Sequence, residues 1–165
     1  MLGCGASRRK LLGQPMDTEF HNLTTLDWNP AMGPDVVWDL EKLPWPFEDN
    51  SFDEVHAYHV IEHVTGRQGD IEPFFAFFTE VVRVLKPGGH LFAAVPRWDT
   101  EWAWGDPSHK RVFAPHTLGY LNQNEYKVQV GVTSMTDYRY CYKVNLEPEW
   151  TNIADDFKFV LRAVK

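Results

Sequence analysis

The chain has 165 residues, of which 44% are hydrophobic and 24% are charged, which fits one globular domain and excludes collagen-like or disordered chains. Acidic residues outnumber basic ones 23 to 16, and the net charge of -7 argues against nucleic acid as a partner. Cys4 and Cys141 form no disulfide framework, and no apolar run approaches the roughly 20 residues of a membrane span. We therefore expect a cytoplasmic protein that uses neither nucleic acid nor a membrane.

The first part of the chain predicts short elements. Residues 8–12 are basic and leucine-rich and predict one or two helical turns, stopped by Gly13 and Pro15. Three apolar strands follow, and the first two end at an aspartate: 21–26 before Asp27, 35–38 before Asp39, and 52–58.

The clearest helix is predicted over residues 70–86, where five apolar side chains recur at helical spacing: Phe74, Phe77, Phe78, Val81 and Leu85. A strand over 90–95 and a short helix over 116–121 come next, and further strands are predicted at 127–134, 139–146 and 157–164. Strands that alternate with crossovers and then follow one another predict an α/β fold with a parallel sheet and an antiparallel finish.

Two glycines at the start of the chain predict a ligand-binding turn. Gly3 and Gly5 follow Leu2, and such glycines let a ligand approach backbone N–H groups closely. Asp27 lies 22 positions after Gly5 at a predicted strand end, where a carboxylate can accept hydrogen bonds from a ribose diol. Arg8 stands where the dinucleotide fingerprint needs its third glycine, which argues against an NAD-binding enzyme.

Four stretches occur together in a specific order. They are Leu-Gly-Cys-Gly at 2–5, a Leu-Pro-x-x-Phe-Glu-Asp-x-Ser-Phe-Asp stretch at 43–53, His-Val-Ile-Glu-His at 59–63, and Arg-Val-Leu-Lys-Pro-Gly-Gly at 83–89. In these stretches the chain resembles the class I S-adenosylmethionine-dependent methyltransferases, over residues 2 to about 118. The resemblance implies a Rossmann-like sheet that is mostly parallel, with an antiparallel C-terminal strand and three α/β/α layers. It also implies one domain over 1–165, with a cofactor half to about residue 96 and a substrate-facing half at about 97–165.

The resemblance implies a site for S-adenosylmethionine made by seven residues: Gly3, Gly5, Asp27, Trp28, Asp39, Leu40 and His59. The two glycines would pass under the methionine part of the cofactor. Asp27 would bind the ribose hydroxyls, and Trp28 would flank the adenine. Asp39 and Leu40 would reach the adenine edge, and His59 would lie nearest the sulfonium methyl.

The chain departs from the family pattern at its start. Only Met1 and Leu2 precede the glycine turn, where the family has a full first strand. We therefore expect a shortened first strand, or a natural start upstream of Met1.

The segment His59-x-x-Glu62-His63 leaves two interpretations open. Small-RNA 2'-O-methyltransferases and some ubiquinone-pathway O-methyltransferases hold a divalent metal at this place, and here His109 or His116 could add a ligand. We predict no metal, because Glu62 and His63 can instead begin a helix and bond to the backbone. His59 is then the first choice for a catalytic base, with His109 as the second.

The segment 97–111 follows the fifth predicted strand and contains three tryptophans and several cations. We predict that it covers the acceptor, with four substrate-binding residues: Trp98, Trp102, Trp104 and Arg111. The alternative is a loop that packs its own tryptophans against the sheet or forms a dimer contact.

The sequence thus predicts transfer of a methyl group from S-adenosylmethionine to an N or O acceptor, with S-adenosylhomocysteine as product. The acceptor is expected to be a small molecule or a substrate presented by a partner. The alternative is a cofactor-binding pseudoenzyme or a regulatory subunit of a methyltransferase complex, and both a homodimer and a heteromeric partner stay open.

Overall fold

The computed structural model describes residues 1–12 and 19–165. The helical turn predicted over 8–12 is wrong, because these residues form no helix. Arg8 instead donates to the carbonyls of Gly5 (3.1 Å) and Gly33 (2.9 Å), and these hydrogen bonds hold this segment beside the glycine turn. Gly13 and Pro15, the predicted stops of that helix, lie outside the described residues.

Twelve elements occur among the described residues. The strands are β1 (Leu26–Asp27), β2 (Val36–Val37), β3 (Phe52–Tyr58), β4 (Leu85–Pro96), β5 (Asn145–Ile153) and β6 (Asp156–Val164). The α-helices are α1 (Ile61–Val64), α2 (Ile71–Val84), α3 (Glu101–Gly105) and α4 (Gln123–Gln129), and Pro30–Met32 and Pro115–Leu121 are 3-10 helices.

The strands form a mixed sheet. β1 pairs with β2, and β3, β4, β6 and β5 lie side by side in that order. Leu2 pairs in parallel with both Leu26 and Ala57 and so joins the two groups. β3 runs parallel to β4, whereas β6 runs antiparallel to both of its neighbours. The predicted α/β sheet with an antiparallel C-terminal strand is therefore confirmed.

The first strand is reduced to the single bridging residue Leu2. Its N–H donates to the carbonyl of His56 (2.8 Å), and its side chain is 4% exposed. The chain runs outward from Leu2 through β1 to β2 and returns to β3 on the other side of Leu2. The strand order thus reverses between Leu2 and β3, the position where open α/β sheets bind their ligands.

Helix α2 buries more residues than any other described helix and begins directly after Asp70, as predicted. Its buried side is rich in phenylalanine, and the rings pack on one another and on aromatic residues from the second half of the chain: Phe74, Phe75, Phe77, Phe78, Phe113 and Tyr142. Aromatic pairs of this kind stabilise a core beyond the area that they bury. None of the helices in the described part of the chain has the length and apolar character that crossing a bilayer requires.

Three of the predicted strands differ from the structure. Of the strand predicted over 21–26 only Leu26 lies in β1, because residues 21–25 form no strand. Residues 127–134 overlap α4, because Asn122 caps a helix there by accepting a hydrogen bond from the N–H of Asn124. The alternating Val128 and Val132 that suggested a strand are both exposed. The strand predicted at 139–146 begins only at Asn145, since a turn occupies the preceding residues.

Candidate functional site

A cleft of about 1030 Å³ opens where the strand order reverses. Six of the seven predicted cofactor residues line it: Gly3, Asp27, Trp28, Asp39, Leu40 and His59. They come from different strand ends, so the sheet topology brings together residues that are distant in the sequence. The seventh, Gly5, contacts the cleft through Asp27, because its N–H donates to Oδ2 of that carboxylate (2.8 Å).

The glycine turn approaches the segment after β3 so closely that it leaves no room for a side chain at residue 3. Gly3 has a φ of +53°, and a Cβ there would lie 2.3 Å from Cγ2 of Val60. Gly5 has a similar φ of +49°, but a Cβ there would meet no atom within 4 Å. Substitutions at the two glycines therefore distinguish two costs. Both positions carry the cost of a left-handed backbone, but only Gly3 carries the cost of a steric clash.

We expect Gly3→Ala to lower the free energy of unfolding more than Gly5→Ala does. A left-handed non-glycine residue costs about 1–3 kcal/mol at either position, and the clash with Val60 adds about 1–3 kcal/mol at residue 3 alone. Urea denaturation of both variants measures the difference. Equal losses would show that Val60 moves aside without cost.

Asp27 anchors the floor of the cleft. It is 6% exposed, and its two oxygens accept hydrogen bonds from backbone N–H groups: Oδ2 from Gly5 and Oδ1 from Asn29 (2.9 Å). A carboxylate oxygen accepts more than one hydrogen bond, so both oxygens keep capacity for ligand hydroxyls. Asp27 thus fixes the glycine turn and presents acceptors to the cleft.

The outer wall of the cleft combines an exposed ring with a buried aliphatic side chain. Trp28, directly after Asp27, is 73% exposed and can cover a flat ligand. Leu40 is buried, and Asp39 accepts a hydrogen bond from the N–H of Glu41 at Oδ1 (3.0 Å). This wall suits a planar, partly polar group.

His59 follows β3 in an unusual backbone conformation, with a φ of +51°. Its Nδ1 lies 3.7 Å from Oε1 of Glu62, and its Nε2 lies 3.5 Å from Oδ2 of Asp156. The Glu62 carboxylate raises the pKa of His59, and Asp156 acts in the same direction. An imidazole between two carboxylates is a stronger proton acceptor than a free one.

A second cavity, of about 500 Å³, adjoins the cleft at His59 and His63, which line both spaces. Its other lining residues include Glu62, His109, Asp156 and Trp102. The cavity therefore has titratable groups on its inner side and an exposed indole, 74% accessible, at its mouth. Both predicted catalytic histidines, His59 and His109, face it.

The structure brings only part of the predicted substrate set to these two spaces. Trp102 lines the second cavity, whereas the Trp98 ring packs against Phe157 in the core. Nε1 of Trp104 donates to the Trp98 carbonyl, and the rest of its side chain is exposed. Arg111 donates to the backbone carbonyls of residues 65, 67 and 70, so it ties two segments together.

Sequence patterns missed two parts of the site because they depend on distant contacts. Lys110 forms an ion pair with Glu41 (2.6 Å) across the cleft mouth, and both residues line the cleft. Asp156 reaches His59 from the first position of β6. The position of Asp156 follows from the pairing of β6 with β4, and that of Lys110 from its backbone hydrogen bond to the carbonyl of Glu62. No local pattern indicates either contact.

Residues 1–93 match a family model described as "Methyltransferase domain". The chain is 36% identical over 113 residues to phthiotriol/phenolphthiotriol dimycocerosates methyltransferase 1 of Mycobacterium ulcerans, which covers 67% of this chain and 33% of that protein. It is 34% identical over 90 residues to sterol 24-C-methyltransferase erg6 of Aspergillus fumigatus, which covers 53% of this chain and 22% of that protein. The chain thus spans a third or less of these relatives.

Solved structures share the fold at low sequence identity. A putative methyltransferase in complex with the Trm112 methyltransferase activator of Haloferax volcanii aligns with a TM-score of 0.61 and 16% identity, over 99% of this chain and 81% of that one. A SAM-dependent methyltransferase from Archaeoglobus fulgidus aligns with a TM-score of 0.52 and 16% identity, over 84% and 75%.

Proposed function

This chain belongs to the methyltransferase-domain family, as its motifs predicted, and from that premise we propose that it is an S-adenosylmethionine-dependent methyltransferase. The observation that carries the proposal is the cleft at the reversal of strand order, which collects six of the seven predicted cofactor residues. We propose an N or O atom of a small molecule, or of a substrate presented by a partner, as the methyl acceptor.

The residues of the cleft fit this cofactor. The turn at Gly3 has no side chain to fill the space beside Val60, so the backbone can lie under an extended ligand. The buried Asp27 carboxylate offers acceptors for a ribose diol, and the exposed Trp28 ring offers a face for an adenine. The volume of about 1030 Å³ accommodates a ligand of this size.

The cofactor, when bound, supplies the methyl group and leaves as S-adenosylhomocysteine. The protein has to align the acceptor lone pair with the carbon–sulfur bond that breaks, and such alignment can supply much of the rate enhancement. His59 lies at the boundary of the two cavities and can take the proton that the acceptor loses. His109, in the second cavity, is the alternative base.

The second cavity is our candidate for the acceptor site. It adjoins the cleft at His59, so a molecule there can reach the methyl group. Trp102 at its mouth offers an aromatic face to the acceptor. Trp98, Trp104 and Arg111 stay predictions as substrate residues, and their contacts in the structure favour a supporting role.

A second candidate function is that of a cofactor-binding subunit in a methyltransferase complex. One structural neighbour was solved in complex with a methyltransferase activator. A partner protein would then be required for turnover.

The test is a calorimetric titration of the protein with S-adenosylhomocysteine, with NAD as the control ligand, followed by a screen of acceptors with methyl-labelled S-adenosylmethionine. We expect saturable binding of S-adenosylhomocysteine, no binding of NAD, and label transfer to at least one acceptor. Binding without transfer to any acceptor would favour the subunit over the enzyme. A folded protein that binds neither ligand would contradict both.

A further inference from the structure

The Glu62 carboxylate has an exceptional environment. The residue is 2% exposed, and neither oxygen has a hydrogen-bond partner among the described residues. The nearest basic nitrogen with which it pairs is Nδ1 of His59, at 3.7 Å, which is beyond hydrogen-bond distance. A buried carboxylate without hydrogen-bond partners is costly, so this environment points to a partner that the protein chain does not itself supply.

Two histidines complete a cluster around this carboxylate. Glu62, His63 and His109 each place one possible ligand atom within 4.8 Å of the others. His63 and His109 are partly buried, and their rings meet edge to face with centroids 4.7 Å apart. We propose that Glu62, His63 and His109 bind one divalent transition-metal ion in the second cavity.

The hydrogen bonds of the two imidazoles suit this role. Nδ1 of His63 lies 3.2 Å from the carbonyl of Ser108, and Nδ1 of His109 lies 3.3 Å from the carbonyl of Ala103. A proton on each Nδ1 would satisfy these carbonyls and leave the lone pair on Nε2; Oδ2 of Asp106 lies 3.8 Å from Nε2 of His109. Metal-binding histidines in proteins are oriented by such bonds.

The backbone holds the cluster together across the sequence. The N–H groups of Lys110 and Arg111 both donate to the carbonyl of Glu62, at 2.8 and 3.1 Å. His109 is thereby fixed beside α1, although it lies 46 positions after His63 in the sequence. Ligand atoms on one tetrahedral Zn²⁺ lie roughly 3.4 Å apart, so small ring rotations bring the three atoms into place.

The donor set selects the class of ion. Two imidazoles and one carboxylate favour Zn²⁺, Co²⁺ or Fe²⁺ over Mg²⁺ and Ca²⁺, which prefer oxygen ligands. Three protein ligands leave coordination positions open to the second cavity. If the proposed function holds, an acceptor oxygen or nitrogen can occupy such a position beside His59.

The sequence predicts no metal, because Glu62 and His63 can begin a helix and bond to the backbone. The pattern at 59–63 does not reveal that Glu62 is buried with no hydrogen-bond partner among the described residues. The structure also changes the candidate ligands. The side chain of His59 lies between Glu62 and Asp156, so it is next to the cluster but is not one of the three proposed ligands. His116 packs against Tyr120 and lies outside the cluster.

Co²⁺ is the probe for this site, because protein-bound cobalt absorbs visible light and reports its ligands without an activity assay. We expect one Co²⁺ per chain with a visible spectrum, and competition by Zn²⁺. Glu62→Gln keeps the size of the side chain and His109→Ala removes one ligand, and each should weaken binding by about 100-fold. His116→Ala is the matched control and should bind like the native chain.

Folding of each variant is checked by thermal melting, so that one folded variant suffices for a decision. Absence of Co²⁺ binding in the native protein, or unchanged binding in a folded Glu62→Gln or His109→Ala variant, would overturn the proposal. The titration with S-adenosylhomocysteine is independent of this test. Metal binding without cofactor binding would contradict the proposed function and leave the metal site intact. Cofactor binding without metal binding would overturn the metal site and leave the proposed function intact.

Discussion

Asp27→Ala should weaken the binding of S-adenosylhomocysteine by about 100-fold or more. Hydrogen bonds to a charged group contribute about 1.5–3 kcal/mol each, and every 1.4 kcal/mol is a factor of ten, so the loss of two ribose contacts alone accounts for this factor. The variant also loses the acceptor for the N–H of Gly5, which positions the glycine turn. Calorimetry gives the affinity of both proteins directly.

Asp53→Ala is the matched control for this experiment. Asp53 lies at the start of β3, is exposed, and pairs with Lys86 at the opposite end of the strand from His59. We expect its affinity to equal that of the native chain. If a folded Asp27→Ala protein binds S-adenosylhomocysteine as tightly as this control, Asp27 does not bind the ribose and the cleft is not the cofactor site.

Arg83→Met should lower the free energy of unfolding by about 3 kcal/mol, because it leaves a buried carboxylate without its cation. Arg83 donates to both oxygens of Glu80, which is 6% exposed, and to the carbonyls of Trp45 and Phe47. Glu80 in turn accepts from the N–H of Trp45 (2.6 Å). Arg83 therefore joins α2 to the loop before β3.

For a chain of this size the loss corresponds to a fall in the melting temperature of about 6–12 °C. Lys86→Met is the control, since the ion pair of Lys86 with Asp53 is exposed on both sides and should contribute less than about 1 kcal/mol. Calorimetric melting of the two variants compares them directly. Similar small losses in both would show that the Arg83 network contributes little.

The parts of the fold that were predictable depend on local patterns. The helical spacing of phenylalanines placed α2, and the apolar run before His59 placed β3 at its observed bounds. Local patterns failed at α4, where an asparagine cap and the burial of Tyr126 outweigh the alternation of valines. Tertiary packing commonly overrides weak propensities in this way.

The cofactor cleft was more predictable than the acceptor side. Gly3, Asp27 and His59 each lie at or directly after the end of a strand, and parallel strands bring such residues to one edge. The contacts of Asp156 with His59 and of His109 with His63 join distant parts of the chain. They depend on a turn and on backbone bonds between loops, which have no periodic pattern in the sequence.

The left-handed backbone at His59 opposes stability to chemistry in the evolution of this domain. A non-glycine residue in that conformation costs about 1–3 kcal/mol, and glycine would relieve it, but only by removing the imidazole between Glu62 and Asp156. The same substitution thus raises stability and erases a candidate base. Selection for a more stable domain and selection for a base at this position therefore act against each other.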